Sequence, residues 1–226
     1  MKRVVTVTAI IIFLVIAGLY GKRRFYDPKQ RLEKVTQQVA QLYKDGEIRS
    51  GDIIFQTSLS GQSKAIQLAT HSEYSHRGII YKNNNDYFVY EGVEPVRFTP
   101  LNKWISRGQD GHFVIKRLKN ADQILTPAVL NRMNQVEEKY KGRHYDIYFE
   151  WTNDKMYCSE LIWKVYKEST GIEICKLEKL KDFDLTSDPV KQKMKERYGD
   201  RIPLDETVVS PAGIYKSRLL EMVKSN

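Results

Sequence analysis

Tyr157-Cys158-Ser159-Glu160-Leu161-Ile162-Trp163-Lys164-Val165-Tyr166 is the stretch around which the chain is organised. From Ser159 onward it reads as the start of a helix. Ser159 or the turn before it can cap, Glu160 suits the positive end, and Leu161, Ile162 and Val165 form an apolar stripe. Cys158 precedes those three by three, four and seven residues, so it falls on the buried stripe at the helix N-terminus. A thiolate there is stabilised by the first-turn N–H groups and the helix dipole, and the same N–H groups can receive an oxyanion. The bland alternative is a small buried hydrophobe, the commoner fate of a lone cysteine.

Upstream, Tyr74-Ser75-His76-Arg77-Gly78-Ile79-Ile80-Tyr81 ends in a strand, Lys82-Asn83-Asn84-Asn85 reads as a turn, and Asp86-Tyr87-Phe88-Val89-Tyr90-Glu91 is the returning strand. With a loop over 82–85, Tyr81 faces Asp86 and His76 faces Glu91, with Cβ atoms about 4.5–5.5 Å apart. A two-residue slip keeps the pair on one face as diagonal neighbours, whereas a one-residue slip separates them. A carboxylate beside a histidine fixes its tautomer and stabilises its imidazolium. An ordinary cross-strand polar pair is the competing reading.

The remaining elements are simpler. Arg31 to Asp45 reads as an amphipathic helix on Leu32, Val35, Val39 and Leu42, ended by Gly46. Gly51 to Gln56 is a short strand, and Ala65 to Ala69 suggests one or two helical turns. Pro95 to Leu101 reads as irregular, with Trp104 on a short helix beyond it. His112 to Leu118 alternates like a strand. Thr126-Pro127 opens a helix on Leu130, Met133, Val136 and Tyr140. Asp188-Pro189 starts another helix, Thr207 to Val209 is a candidate last strand, and Ser210-Pro211 caps a final helix through Leu219, Leu220 and Met222. No repeat, low-complexity tract or second-domain linker is present.

The 226 residues carry a formal net charge of +9. That surface could meet nucleic acid, anionic lipid or an anionic wall polymer. The lysines are dispersed and no nucleic-acid-binding motif occurs, so no nucleic-acid partner is expected. Val4 to Tyr20 is an uncharged run of 17 residues with basic residues on both flanks. Residues 1–24 therefore read as a signal sequence or an N-terminal membrane anchor, and residues 25–226 as an exported, extracytoplasmic or periplasmic domain. No lipid-anchor cysteine follows the run. Cys158 and Cys175 are the two cysteines. A helix from 159 to 170 would hold them apart, so no bridge is expected.

The order of strand with histidine, strand with carboxylate and helix with cysteine resembles the permuted NlpC-type branch of papain-like cysteine hydrolases, in particular the YiiX-like family. The pieces that carry the resemblance are Gly51–Phe55, Tyr74–Ile80, Val89–Val96, Gly142–Trp151 and Tyr157–Trp163. No one of them is decisive, and their order and spacing together are specific. The resemblance implies an α+β, circularly permuted papain-like fold in which a small antiparallel sheet packs against the cysteine helix, with a core over about residues 50–170 and a C-terminal helical extension. It implies Cys158 as nucleophile, His76 as base, Glu91 as orienting group and Tyr145 near the oxyanion. Arg77 stands where such relatives often carry a small apolar residue. Core packing is an equal reading for Tyr145, and a surface turn is the favoured one for Glu94. His71, His112 and His144 have no partner that the sequence identifies. No metal is expected, since no Cys/His pair has ligand spacing, and no cofactor is implied.

The activity implied is cleavage of an amide or isopeptide bond through a thioester acyl-enzyme, with murein stem peptides as the first substrate class. A lipid acyl hydrolase or acyltransferase resembling lecithin retinol acyltransferase is an alternative, supported by the leader and by Tyr148, Phe149 and Trp151. A wall- or membrane-binding module without catalysis is a third.

Overall fold

A computed structural model describes residues 29–226; the apolar leader lies outside the described residues. The amphipathic helix α1 runs over 29–45. It is followed by β1 (Ile53–Gln56), α2 (Ser63–Thr70), β2 (His76–Asn83), β3 (Asp86–Glu91), β4 (Arg97–Pro100), α3 (Leu101–Ser106), β5 (Val114–Leu118), α4 (Ala121–Ile124) and α5 (Pro127–Tyr140). The two-residue strands β6 (His144–Tyr145) and β7 (Lys155–Met156) then lead into α6 (Cys158–Thr170). The last part holds β8 (Glu178–Lys179), α7 (Asp188–Tyr198), β9 (Thr207–Val208), α8 (Pro211–Tyr215) and β10 (Leu220–Ser225).

The main sheet has the order β10-β5-β1-β2-β3-β4, and every pair in it is antiparallel. Alternation along its strands supplies two cores. Ile53, Phe55, Ile79, Tyr81 and Tyr90 join Leu161, Ile162, Val165 and Tyr166 of α6 and Met133 and Tyr140 of α5. Ile54, Ile80, Val89 and Ile115 join Val35, Val39 and Leu42 of α1 and Trp104 and Ile105 of α3. The sheet is thus covered on both faces, and α6 is buried over its first nine residues because α5 and the C-terminal segment cover its outer side. A third cluster, Ala65, Leu180, Val190 and Met194, ties α2 to α7. Among the described residues no helix is long and apolar enough to cross a membrane.

Four expectations change. The hairpin turns at Asn84–Asn85, because Asn83 pairs with Asp86 and Asn84 takes the positive φ of 54° that a two-residue turn requires. Every partner is therefore shifted by two residues from the register expected of a four-residue loop. The segment read as irregular contains β4, an edge strand whose Pro100 sits at its end, where a missing N–H is tolerated. The final helix stops at Tyr215, and the residues beyond Leu219 form β10 on the opposite edge, paired with β5. The C-terminal extension is therefore not wholly helical: β10 completes the central sheet. The apolar spacing of Leu219, Leu220 and Met222 fits either state over so short a run.

Candidate active site

Cys158 is the first residue of α6, preceded by Tyr157 in extended conformation with no side-chain cap. The first-turn N–H groups are thereby left without a capping side chain. Gly92, directly after β3, makes this placement possible. A Cβ there would lie 2.9 Å from both N and Cα of Cys158. The helix N-terminus thus sits against the backbone that follows Glu91.

His76 begins β2 at the end of the sheet. Its Nε2 lies 2.7 Å from Oε2 of Glu91, which leaves Nδ1 free of that bond, and Cys158 is close enough to act on the ring's charge. The Trp104 indole stacks on the imidazole at 5.8 Å between centroids and 24° between planes. Glu91 is fully buried and saturated with donors. Besides His76 it accepts from Thr99 Oγ1 at 2.6 Å, Trp104 Nε1 at 2.9 Å and Arg107 Nη2 at 2.7 Å to each oxygen. Burial acts against its charge, but His76, Arg107 and Thr99 outweigh burial and bring its pKa down to about 2.

The thiol and the imidazole shift in opposite directions. Burial opposes ionisation of both. For Cys158 it is overcome by the Arg77 guanidinium, His76 and the Ser159 N–H, and the thiol pKa falls to about 6. For His76 it is overcome by hydrogen bonds and charge from Cys158 and Glu91, and the pKa rises to about 9. Between those values the two groups form a thiolate–imidazolium pair.

Arg77 projects from the face of β2 opposite His76, toward α6. It is fully buried, donating from Nη1 to Ser159 Oγ at 2.7 Å and from Nη2 to Ser75 O at 3.4 Å and Cys158 Sγ at 3.6 Å. Tyr145 is brought to the same place by β6. Its hydroxyl accepts from Gln62 Nε2 at 2.9 Å, and its N–H donates to Glu94 Oε2 at 2.8 Å. Glu94 also takes His144 Nδ1 at 2.7 Å, so it anchors the strand that carries Tyr145, and His144 has the partner that the sequence did not disclose. His112 bonds the backbone of Asn226 at 2.8 Å, and His71 lies 3.4 Å from Asp184, both away from Cys158. Cys158 and Cys175 are free thiols.

Two spaces border this site and share Gln62 and Tyr145 in their walls. An apolar pocket runs between α2 and α7, with Cys158, Arg77 and Tyr145 in its wall together with Ala65, Ile66, Leu180, Phe183, Val190 and Met194. An open, more polar cleft lies on the His76 side, bordered by Gln56, Ser58, Ser60, Glu94 and Arg107. Thr99, Trp104 and Arg107 escape the sequence reading because they come from β4 and the α3 region.

An antiparallel sheet backed by a helix whose N-terminal cysteine meets a histidine–carboxylate pair defines a papain-like cysteine hydrolase, here with the cysteine last in chain order. Residues 47–224 match the family described as permuted papain-like amidase enzyme, YaeF/YiiX, C92 family. The chain belongs to that family. It is 46% identical over 175 residues to the uncharacterized protein YiiX of Escherichia coli strain K12, covering 77% of this chain and 85% of that protein. The crystal structure of metalloprotein yiiX from Escherichia coli O157:H7 superposes with a TM-score of 0.76 at 44% identity, over 80% of this chain and 98% of that one. The residues here do not fit a metal centre. Among the described residues no three His, Cys, Asp or Glu side chains are grouped to hold an ion, and Nε2 of His76 is already engaged by Glu91.

Proposed function

We propose that this protein hydrolyses an amide or ester whose acyl part is an apolar chain, by way of a thioester on Cys158. The observation that carries this reading is the apolar cavity that has the thiol in its wall. An acyl chain seated there brings its carbonyl to Sγ, and the leaving group then lies in the polar cleft beside His76. The resting pair already holds the Cys158 proton on His76. The thiolate attacks the carbonyl carbon, and the oxyanion is received by the N–H of Cys158 and the Tyr145 hydroxyl. His76 passes its proton to the departing amine or alcohol as the tetrahedral adduct collapses to the thioester. A water, deprotonated by His76, attacks the thioester, releases the carboxylic acid and restores the thiolate. Glu91 keeps the ring oriented and balances its charge.

A murein stem peptide is the second reading, favoured by the polar cleft. Mass spectrometry of reactions with N-acyl amides of two to sixteen carbons and with defined stem peptides separates the two. Cleavage that strengthens with chain length and disappears in Cys158→Ala is expected. Stem-peptide cleavage without acyl-length dependence would replace the first reading with the second, and binding with no product from either would leave only a binding module.

A further inference from the structure

Arg77 is a fully buried cation, and among the described residues no carboxylate is bonded to it. Its hydrogen bonds go to a hydroxyl, a carbonyl and the Cys158 sulfur, and its Nε has no partner. A guanidinium stays protonated even when buried, and a buried charge requires a counter-charge. The acidic groups that act on it are Cys158, Tyr145, Cys175 and Tyr157. Burial raises the pKa of Cys175 to about 12 and holds both phenols above their ordinary value, so those three are neutral near pH 7. Glu91 is committed elsewhere, to His76, Thr99, Trp104 and Arg107. Glu160 is tied to Lys164 at 2.7 Å. Arg197 of α7 acts on Tyr145 from the far side and adds more positive charge. Among the described residues, only the sulfur of Cys158 is left to balance Arg77.

We propose that Arg77 is a catalytic residue, the fixed counter-ion of the Cys158 thiolate, and that it holds the sulfur ionised whether or not His76 carries a proton. The histidine–carboxylate pair and the arginine thus divide the work. Glu91 balances the imidazolium, and Arg77 balances the thiolate both before it attacks and when deacylation releases it. Strand alternation explains the division. Consecutive residues of β2 point to opposite faces, so His76 reaches the thiol from the end of the sheet and Arg77 from beneath α6. This inference rests on Cys158 as the nucleophile and not on any substrate.

The test is titration of thiolate absorbance at 240 nm, taken as the difference between each protein and the same protein carrying Cys158→Ala. The wild type is expected to titrate near pH 6. His76→Ala is expected to keep its midpoint below the ordinary thiol value of about 8.5. Arg77→Met, with His76 intact, is expected to raise the midpoint so that thiol acidity falls more than tenfold, and Arg77→Lys to recover part of the loss. A midpoint at or above about 8.5 in His76→Ala, or no change in Arg77→Met, would overturn the proposal. If Arg77→Met does not fold, the His76→Ala arm decides alone. No substrate is involved, so an incorrect acyl assignment would leave this result standing.

Discussion

His76 and Glu91 are not opposite each other in the β2–β3 ladder, yet Nε2 and Oε2 are 2.7 Å apart. In the register that pairs Ile79 with Tyr90, Glu91 falls level with Gly78, so His76 reaches it along the diagonal. Gly78 leaves the space between them open: a Cβ there would lie 3.4 Å from that of Glu91 and closer still to Val89 and the Tyr90 carbonyl.

The opposed shifts of the thiol and imidazole set a pH optimum. Below about 6 the thiolate takes up a proton, and above about 9 His76 loses the one it must donate. A bell-shaped kcat/KM profile with limbs near those values is expected. A single limb near 8.5 would show that the thiol is unperturbed.

Glu91→Gln removes the one anion among His76, Arg107 and Trp104 while keeping its shape. Unfolding by urea near pH 7 should show a loss of about 3–5 kcal/mol, the cost of breaking a buried pair. The sign follows from linkage: with its pKa depressed to about 2, Glu91 contributes its full stability above its ordinary pKa near 4.5 and loses it as pH falls through about 2. The difference between wild type and variant should therefore shrink in acid. The alkaline limb of the activity profile should also move to lower pH, because His76 loses its stabilising charge.

Gly92→Ala should be far more harmful than an alanine in an ordinary turn. Its Cβ would meet backbone of Cys158, which cannot rotate away. The expected readout is a drop in kcat of at least about tenfold, with displacement of the oxyanion N–H. Unchanged kinetics would mean that α6 can move without consequence.

Tyr145→Phe separates an oxyanion role from core packing. Loss of one oxyanion donor costs about 10²–10³ in kcat, and a packing role would leave kcat within about twofold. KM should change little in either case. The hydroxyl is poised for donation because Gln62 already supplies the hydrogen bond that it accepts.

Glu137 gives an unrelated prediction about stability. It is buried between α5 and the sheet, its carboxyl has no well-formed hydrogen bond, and burial pushes its pKa up to about 9. The folded state binds a proton there that the unfolded chain releases above pH 4.5, so the residue destabilises the fold increasingly from pH 4.5 to about 9. Glu137→Gln should raise the Tm at pH 7–8, and the gain should vanish near pH 4. Equal gains at both pH values would refute the buried neutral acid.

Much of the site is legible in the sequence through parity. The loop expected over 82–85 is two residues too long, but an even error keeps His76 and Glu91 on one face. The same alternation puts Arg77 on the other, although only the packing of α6 discloses what it meets there. Thr99, Trp104 and Arg107 are hidden for a different reason. The stretch from Val96 to Pro100 has no clean alternation, and edge-strand pairing decides its state. Strand β10 is obscured likewise, since its burial is irregular and its register breaks between Met222 and Lys224.

The late position of the proposed nucleophile has a consequence during synthesis. Cys158 follows Arg107, the last residue of the His76 cradle, by 51 residues in the chain, which at a ribosome's roughly 5–20 residues per second is a wait of roughly 3–10 s. The cradle of His76, Glu91, Trp104 and Arg107 leaves the exit tunnel first, as a hairpin and its neighbours joined by short-range contacts. The thiol emerges afterwards, once Arg77, His76 and the groups that hold His76 have already been made. On the proposed mechanism a nascent chain halted before α6 is inert, and its sulfur is the last of the proposed catalytic groups to be exposed.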